Sequence, residues 1–280
     1  MAIGIPKVIK SDNLSSAWLR VVGGSLFLPE FEPLDGPTIV SLAIGPSGLP
    51  TQTGTINDLL DAVLESHEKP TSYDSSSTIF PLSTWLSKRK PNCLEFSDYY
   101  RNRIFPRLQA LHPLNKRGTY FERMINFRGI DSKGKETAKN QLLQIVNAWY
   151  RVDKEGKRVA LRRSALQASI FDPPKDHTGN PLQSFPCLQQ VSFSYENDSL
   201  CVNGYYPAQY VFERGYGNYL GLCHLGYFMA SQLGLKLVRM NCFIGHFPSS
   251  SLKQSVIRDT VKAAMELSTA SNPQTTTSDV

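Results

Sequence analysis

Residues 186–222, PCLQQVSFSYENDSLCVNGYYPAQYVFERGYGNYLGL, join a Pro-Cys pair, two strand-like runs and the start of a long apolar segment. The β-branched and aromatic residues across 193–206 predict one or two strands, broken at the Asn197-Asp198 turn. Residues 218–233 are apolar nearly all round, which predicts a buried central helix. Cys187 is the candidate nucleophile. It follows the Asp-, Pro- and Gly-rich loop FDPPKDHTGNPLQ and precedes an apolar strand, a junction where a thiol can face a cleft. Cys201, Cys223 and Cys242 lie inside apolar runs, where a cysteine behaves as a small core residue. No Cys-His-Asn protease spacing accompanies Cys187.

Working outward, residues 235–244 read as a strand and 251–267 as an amphipathic helix capped by serine. Residues 271–280, SNPQTTTSDV, are polar and predicted disordered. Toward the N-terminus, residues 163–171 read as a strand. Residues 137–150 carry Leu142, Ile145, Val146 and Trp149 at helical spacing. An aromatic, proline-punctuated region extends up to about Pro113 behind a Ser-rich turn at 72–78. Residues 56–65 predict a helix capped by Thr55, 38–44 a strand closed by Gly45-Pro46, and 11–22 a helix capped by Ser11 or Asp12. No repeat or linker interrupts the pattern, so one α+β domain is expected over residues 1–270.

Composition narrows the class. The chain of 280 residues is 41% hydrophobic and 19% charged, ordinary for a globular protein with one substantial core. No apolar run reaches the roughly 20 residues that cross a bilayer. The opening MAIGIPKVIK is short and broken by Gly4 and Pro6, unlike a secretory signal. The five cysteines form no CxxC pair and no zinc-finger spacing, so reduced thiols in a cytoplasmic protein without a structural metal are expected. The net charge of +6 is spread along the chain rather than drawn into one basic arm, so nucleic acid is not the expected partner.

The ordered features around Cys187 resemble those of the thymidylate synthases and pyrimidine hydroxymethylases. In that family a Pro-Cys pair is followed by a strand, a turn, a second strand and a loop ending in an asparagine that opens the buried helix. Cys187 and Asn218 stand 31 residues apart, the family's interval, and Leu200, Tyr205, Phe212 and Met229-Ala230 fall in register. Asn140-Gln141-Leu142, Arg162-Arg163 and Gly118-Thr119-Tyr120 resemble further family signatures, with Phe121 where the last turn has Gly. The likeness covers roughly residues 118–246 and extends weakly to AWLRVV in the first helix. It implies a thymidylate synthase-like α+β fold, with a mixed β-sheet forming a homodimer interface and a buried central helix.

The resemblance also implies chemistry. A Cys187 thiolate would add to C6 of a pyrimidine, so that C5 takes a one-carbon unit from 5,10-methylenetetrahydrofolate. Asn218 would hydrogen-bond the pyrimidine edge, its amide suiting uracil, where an aspartate marks the cytidylate enzymes. Arg162 and Arg163 would reach the partner subunit's nucleotide phosphate in trans, Tyr120 would join the substrate pocket, and His246 would approach the ribose. Three departures stand against ordinary thymidylate production. Pro207-Ala208-Gln209-Tyr210 replaces the Arg-Ser-x-Asp phosphate grip, Arg214 enters a reshaped loop, and the family's folate-closing C-terminal segment has no counterpart. Arg214 becomes a candidate anion ligand, and Glu65 and Arg123 occupy the neighbourhoods of the family's glutamate and first phosphate arginine. Two expectations follow: a divergent C5 transferase, or a nucleotide-binding sensor or scaffold that has lost the chemistry.

Overall fold

Eight strands and eleven α-helices are formed by the described residues, with buried and more exposed residues alternating along the long strands β7 and β8. The computed structural model describes residues 4–111, 113–157, 159–177 and 185–270. The predicted tail at 271–280 lies outside these. In chain order the elements begin with β1 (Lys7–Ser11), α1 (Leu14–Ser25), β2 (Thr38–Ala43), α2 (Gly54–Ser66), α3 (Ser72–Ile79) and α4 (Leu82–Ser87). Next come α5 (Cys93–Tyr99), a π-helical turn (Tyr100–Ile104), α6 (Phe105–Leu111), α7 (Tyr120–Ile125), β3 (Phe127–Ile130), β4 (Glu136–Lys139) and α8 (Gln141–Trp149). The last third holds β5 (Gln167–Ser169), α9 (Pro173–Asp176), β6 (Gln190–Glu196), β7 (Ser199–Tyr206), α10 (Tyr216–Leu233), β8 (Lys236–Ile244) and α11 (Gln254–Ala270).

The main sheet is mixed, in the order β1-β2-β8-β7-β6-β5, and β3-β4 form a separate hairpin. The β6–β7 hairpin turns at Asn197, whose φ of 51° suits an asparagine. From β7 the chain crosses through α10 and returns as β8, parallel to β7. Leu200, Val202, Gly204 and Tyr206 of β7 point to α10, as do Leu237, Met240, Cys242 and Ile244 of β8 through one continuous core. The opposite set of alternate residues is partly or fully exposed. On it Tyr205 stacks on Phe243 at 5.2 Å and Asn241 donates to Asn203 at 2.9 Å.

The serine-rich segment is not a turn but helix α3. Thr71 caps it and Asp74 returns the bond to Thr71, closing a capping box. Its small residues then permit close approach to α10. A Cβ on Gly217 would sit 2.5 Å from Ser75 Cβ and 2.6 Å from Ser72 O; one on Gly221 would sit 2.9 Å from Ile79 Cβ. Two glycines four residues apart thus make a seam into which α3 settles, and packing overrides the turn preference of serine.

Other boundaries shift for local reasons. Asn13, not Ser11 or Asp12, caps α1, because residues 7–11 are taken up as the edge strand β1 beside β2. Residue Thr53 precedes α2 in place of Thr55. The predicted helix 137–150 starts only at Gln141, since residues 136–139 pair with β3. The predicted strand 163–171 is ordered as a strand only at Gln167–Ser169, behind a short 3-10 turn. The helix expected from Ser251 begins at Gln254, the two preceding serines being bound by Glu213. The unassigned aromatic region contains α4, α5 and α6, held by a cluster in which Phe80 stacks on Phe228 at 4.6 Å.

Candidate active site around Cys187

Cys187 stands just before β6, where the chain is pinned on both sides. Gln189 donates its N–H to Tyr205 O at 3.0 Å and accepts at its carbonyl from Ile170 and Phe171 at 2.9 and 3.1 Å. Its thiol is partly buried at the border of the core rather than sealed inside it. Tyr120 approaches from α7. Thr119 caps that helix by accepting the Glu122 N–H at 3.1 Å, and Tyr100 holds the Thr119 hydroxyl at 2.8 Å. The N–H groups of Leu188 and Cys187 point at the Tyr120 hydroxyl.

Arg214 supplies the nearby cation. It lies on the π-helical turn Val211–Gly215 that leads into α10, and its Nη1 donates to Ser75 Oγ on α3 at 3.0 Å. Burial pushes the Cys187 thiol above the ordinary cysteine value and the Arg214 charge only partly offsets this. Starting from an unperturbed value near 8.5, a raised thiol keeps only a few per cent or less of thiolate at pH 7. Burial likewise raises Tyr120, with the two backbone N–H groups and Arg214 pulling the other way. The ligand-free site is therefore a neutral thiol beside a neutral phenol, with one guanidinium in electrostatic reach.

Asn218 opens α10 one helical turn after Arg214 and is 6% exposed. Among the described residues its amide has no hydrogen-bond partner, which leaves a donor and an acceptor for a ligand or water. Tyr206, at the end of β7, is fully buried, electrostatically coupled to Tyr120 and Cys187, and its hydroxyl has no partner. Tyr219 Oη and Gln209 Oε1 are also buried and unpaired, while Gln209 Nε2 faces Cys242 Sγ at 3.9 Å. Native interiors rarely leave such groups unsatisfied.

The remaining expected residues divide. Arg163 is exposed and engaged within its own chain, bonding Glu196 Oε2 and Tyr195 O at 3.2 Å each, with its guanidinium 4.7 Å from the Tyr195 ring centre. Arg162 is exposed beside it, directed by the same turn. Arg123, a candidate phosphate ligand, is instead committed to Asp176 by a two-point ion pair at 2.6 and 2.8 Å. Glu65 is exposed near the end of α2. His246 is exposed, and its contribution near the site is a carbonyl that accepts the Gln209 N–H at 3.1 Å. Asn140 caps α8 and Gln141 grips the backbone of Ser169 with both amide atoms at 2.8 Å, so this signature positions β5.

Tyr206, Tyr219 and Ser75 were not singled out from sequence. The signal for Tyr206 is the strict alternation of β7, which turns residues 200, 202, 204 and 206 to one side. Ser75 was hidden in the segment read as a turn. Three cavities, of about 350, 580 and 490 Å³, lie away from Cys187, lined respectively around Tyr227, Thr51 and Arg128. Among the described residues no three His, Cys, Asp or Glu side chains gather as a metal site, and no helix is long and apolar enough to cross a membrane. No protein-family model matches the chain, and no curated protein matches it.

Proposed function

We propose that this chain is a divergent pyrimidine C5-modifying transferase of thymidylate synthase type, acting through a covalent Cys187 adduct. The observation that supports it is the meeting of a partly buried thiol with Tyr120, Arg214 and the unpaired Tyr206 hydroxyl. The partly exposed thiol first gives its proton to solvent water; its sulfur then bonds to C6, and the electrons of the C5=C6 double bond move toward C5 and the C4 carbonyl. The Asn218 amide is the group suited to hold the pyrimidine edge as that charge develops. Arg214 favours the thiolate and takes the role of anion ligand that Pro207 and Ala208 cannot perform. The donor that the resemblance implies is 5,10-methylenetetrahydrofolate. The chemistry proposed ends at the Cys187 adduct.

The homodimer belongs to the same proposal. The sheet face carrying Tyr205, Phe243 and Asn241 would meet its copy about a two-fold axis, with the exposed Arg162 of each protomer reaching the other's site, and Arg163 joining it only on release from Glu196 and Tyr195. A second reading, a nucleotide sensor without catalysis, is favoured by one observation: burial holds the Cys187 thiol protonated despite Arg214. Intact-protein mass after incubation with 5-fluorodeoxyuridylate, with and without methylenetetrahydrofolate, separates the two. A Cys187-dependent mass increase is expected for the enzyme. Nucleotide binding with no adduct supports the sensor, and no pyrimidine binding at all removes both.

A further inference from the structure

One lysine of this chain stands in a cavity without a counter-ion. Asp172-Pro173-Pro174-Lys175-Asp176 forms the single turn α9, in which the two prolines fix the first helical positions. Asp176 turns inward to Arg123, whereas Lys175 lines the cavity of about 490 Å³ bounded by α7, α9 and the β3–β4 hairpin. Three carboxylates lie in electrostatic reach of its half-buried ammonium, those of Glu122, Asp176 and Asp172. Each is engaged by another donor. Asp176 takes Arg123 Nη1 and Nη2 at 2.6 and 2.8 Å, Asp172 lies 3.5 Å from Arg128 Nε, and Glu122 accepts from Asn126 at 2.7 Å. Among the described residues Lys175 therefore forms no ion pair.

This setting favours the free amine. Burial disfavours the ammonium, the Arg123 guanidinium adds to that, and Glu122, Asp176 and Asp172 oppose it only in part, so Lys175 is held below the ordinary lysine value. Arg128 and the exposed Glu136 complete the charged groups on the cavity wall. Desolvation beside a second cation is how a lysine becomes a nucleophile, and the cavity volume falls among small-molecule sites, about 300–1,000 Å³. We infer that Lys175 is a nucleophilic amine and that its cavity takes a small aldehyde or ketone, bound as an imine. The ammonium first gives a proton to solvent. The neutral nitrogen then bonds to the carbonyl carbon while the C=O electron pair moves to oxygen. That oxygen leaves as water with the two remaining nitrogen protons, and a C=N bond is left. The inference goes beyond the Cys187 chemistry and draws on no part of it.

The test uses the full chain, propanal as the carbonyl probe, and sodium cyanoborohydride, which reduces the imine to a stable propylamine located by peptide mass. At about pH 7, Lys175 should be alkylated about fivefold or more faster than Lys10 and Lys262, which stand exposed on β1 and α11. Its rate should level off with rising pH below the ordinary lysine value of about 10.4. Arg128→Gln removes a cation and releases Asp172 to pair with Lys175, so it should slow the Lys175 reaction about threefold or more at the same pH. The Arg128 side chain is 45% exposed and meets Asp172 at 3.5 Å, so this variant should keep the wild-type unfolding midpoint. Lys175 reacting no faster than Lys10 and Lys262 would overturn the inference. So would an Arg128→Gln protein of unchanged midpoint whose Lys175 reacts as fast as in the wild type, or faster.

Discussion

Asp176→Asn tests the joint that holds the two sides of the candidate site. Arg123, on the helix that starts with Tyr120, and Asp176, the last residue of α9, are 4% and 1% exposed. Two charge-assisted bonds at 2.6 and 2.8 Å connect them, Arg123 Nη1 also reaches Ile170 O at 3.0 Å, and the Asp172 N–H reaches Asp176 at 2.8 Å. Asparagine keeps the shape but removes the charge, leaving a buried guanidinium unpaired. Breaking such a pair costs about 3–5 kcal/mol, a large part of a total stability of about 5–15 kcal/mol. Urea unfolding should show the midpoint falling with the slope unchanged. Arg123→Met with Asp176→Leu should recover much of the loss, because two apolar groups need no compensation.

The same pair predicts a pH dependence. Burial by itself pushes the Asp176 carboxyl up, but the bonds from Arg123 and the Asp172 N–H bring it below the ordinary aspartate value. Its stabilisation is thus complete above the unfolded value near 3.9 and is lost as pH falls through the lower folded value. The stability gap between wild type and Asp176→Asn should narrow below about pH 4. A loss under about 1 kcal/mol for Asp176→Asn, or a gap that widens in acid, would refute the reasoning.

Iodoacetamide labelling of Cys187 should be slow at neutral pH and rise through pH 9, because burial favours the thiol; Arg214→Ala should slow it further, on the order of tenfold at fixed pH. A faster Arg214→Ala reaction, read by peptide mass, would show that the guanidinium does not act on the sulfur. Gly217→Ala should destabilise more than Gly221→Ala, since its Cβ would meet backbone at 2.6 Å, and the clash of about 1–3 kcal/mol exceeds the helix gain of about 1 kcal/mol. Gly54→Ala, with open space around it, is the control in the same thermal melts. Tyr205→Glu, on the exposed sheet face, should convert a dimer to a monomer in sedimentation equilibrium if that face joins two copies.

What the sequence made legible follows from how local each cause is. β2, the β6–β7 hairpin, α10 and β8 were readable because burial on a sheet or inside a core imprints its own period on neighbouring residues. Helix α3 was not, because its stability comes from glycines about 140 positions away, and serine viewed alone favours turns. Arg123 misled for the same reason: its partner Asp176 is 53 residues distant, and an arginine looks free until its carboxylate is found. Cys187 and Asn218 were visible as a spacing, and Arg214 as an unexpected charge. Tyr206 needed the strand's facing direction, and Ser75 needed the helix.

The π-helical turn at Val211–Gly215 sets where Arg214 points. Such a turn holds one more residue than the α-helical path it replaces. Removing one residue there would let the segment relax into α-helix and swing Arg214 about a hundred degrees around the axis relative to Asn218. A variant shortened by one residue at this turn would therefore carry the guanidinium away from the sulfur without changing a side chain.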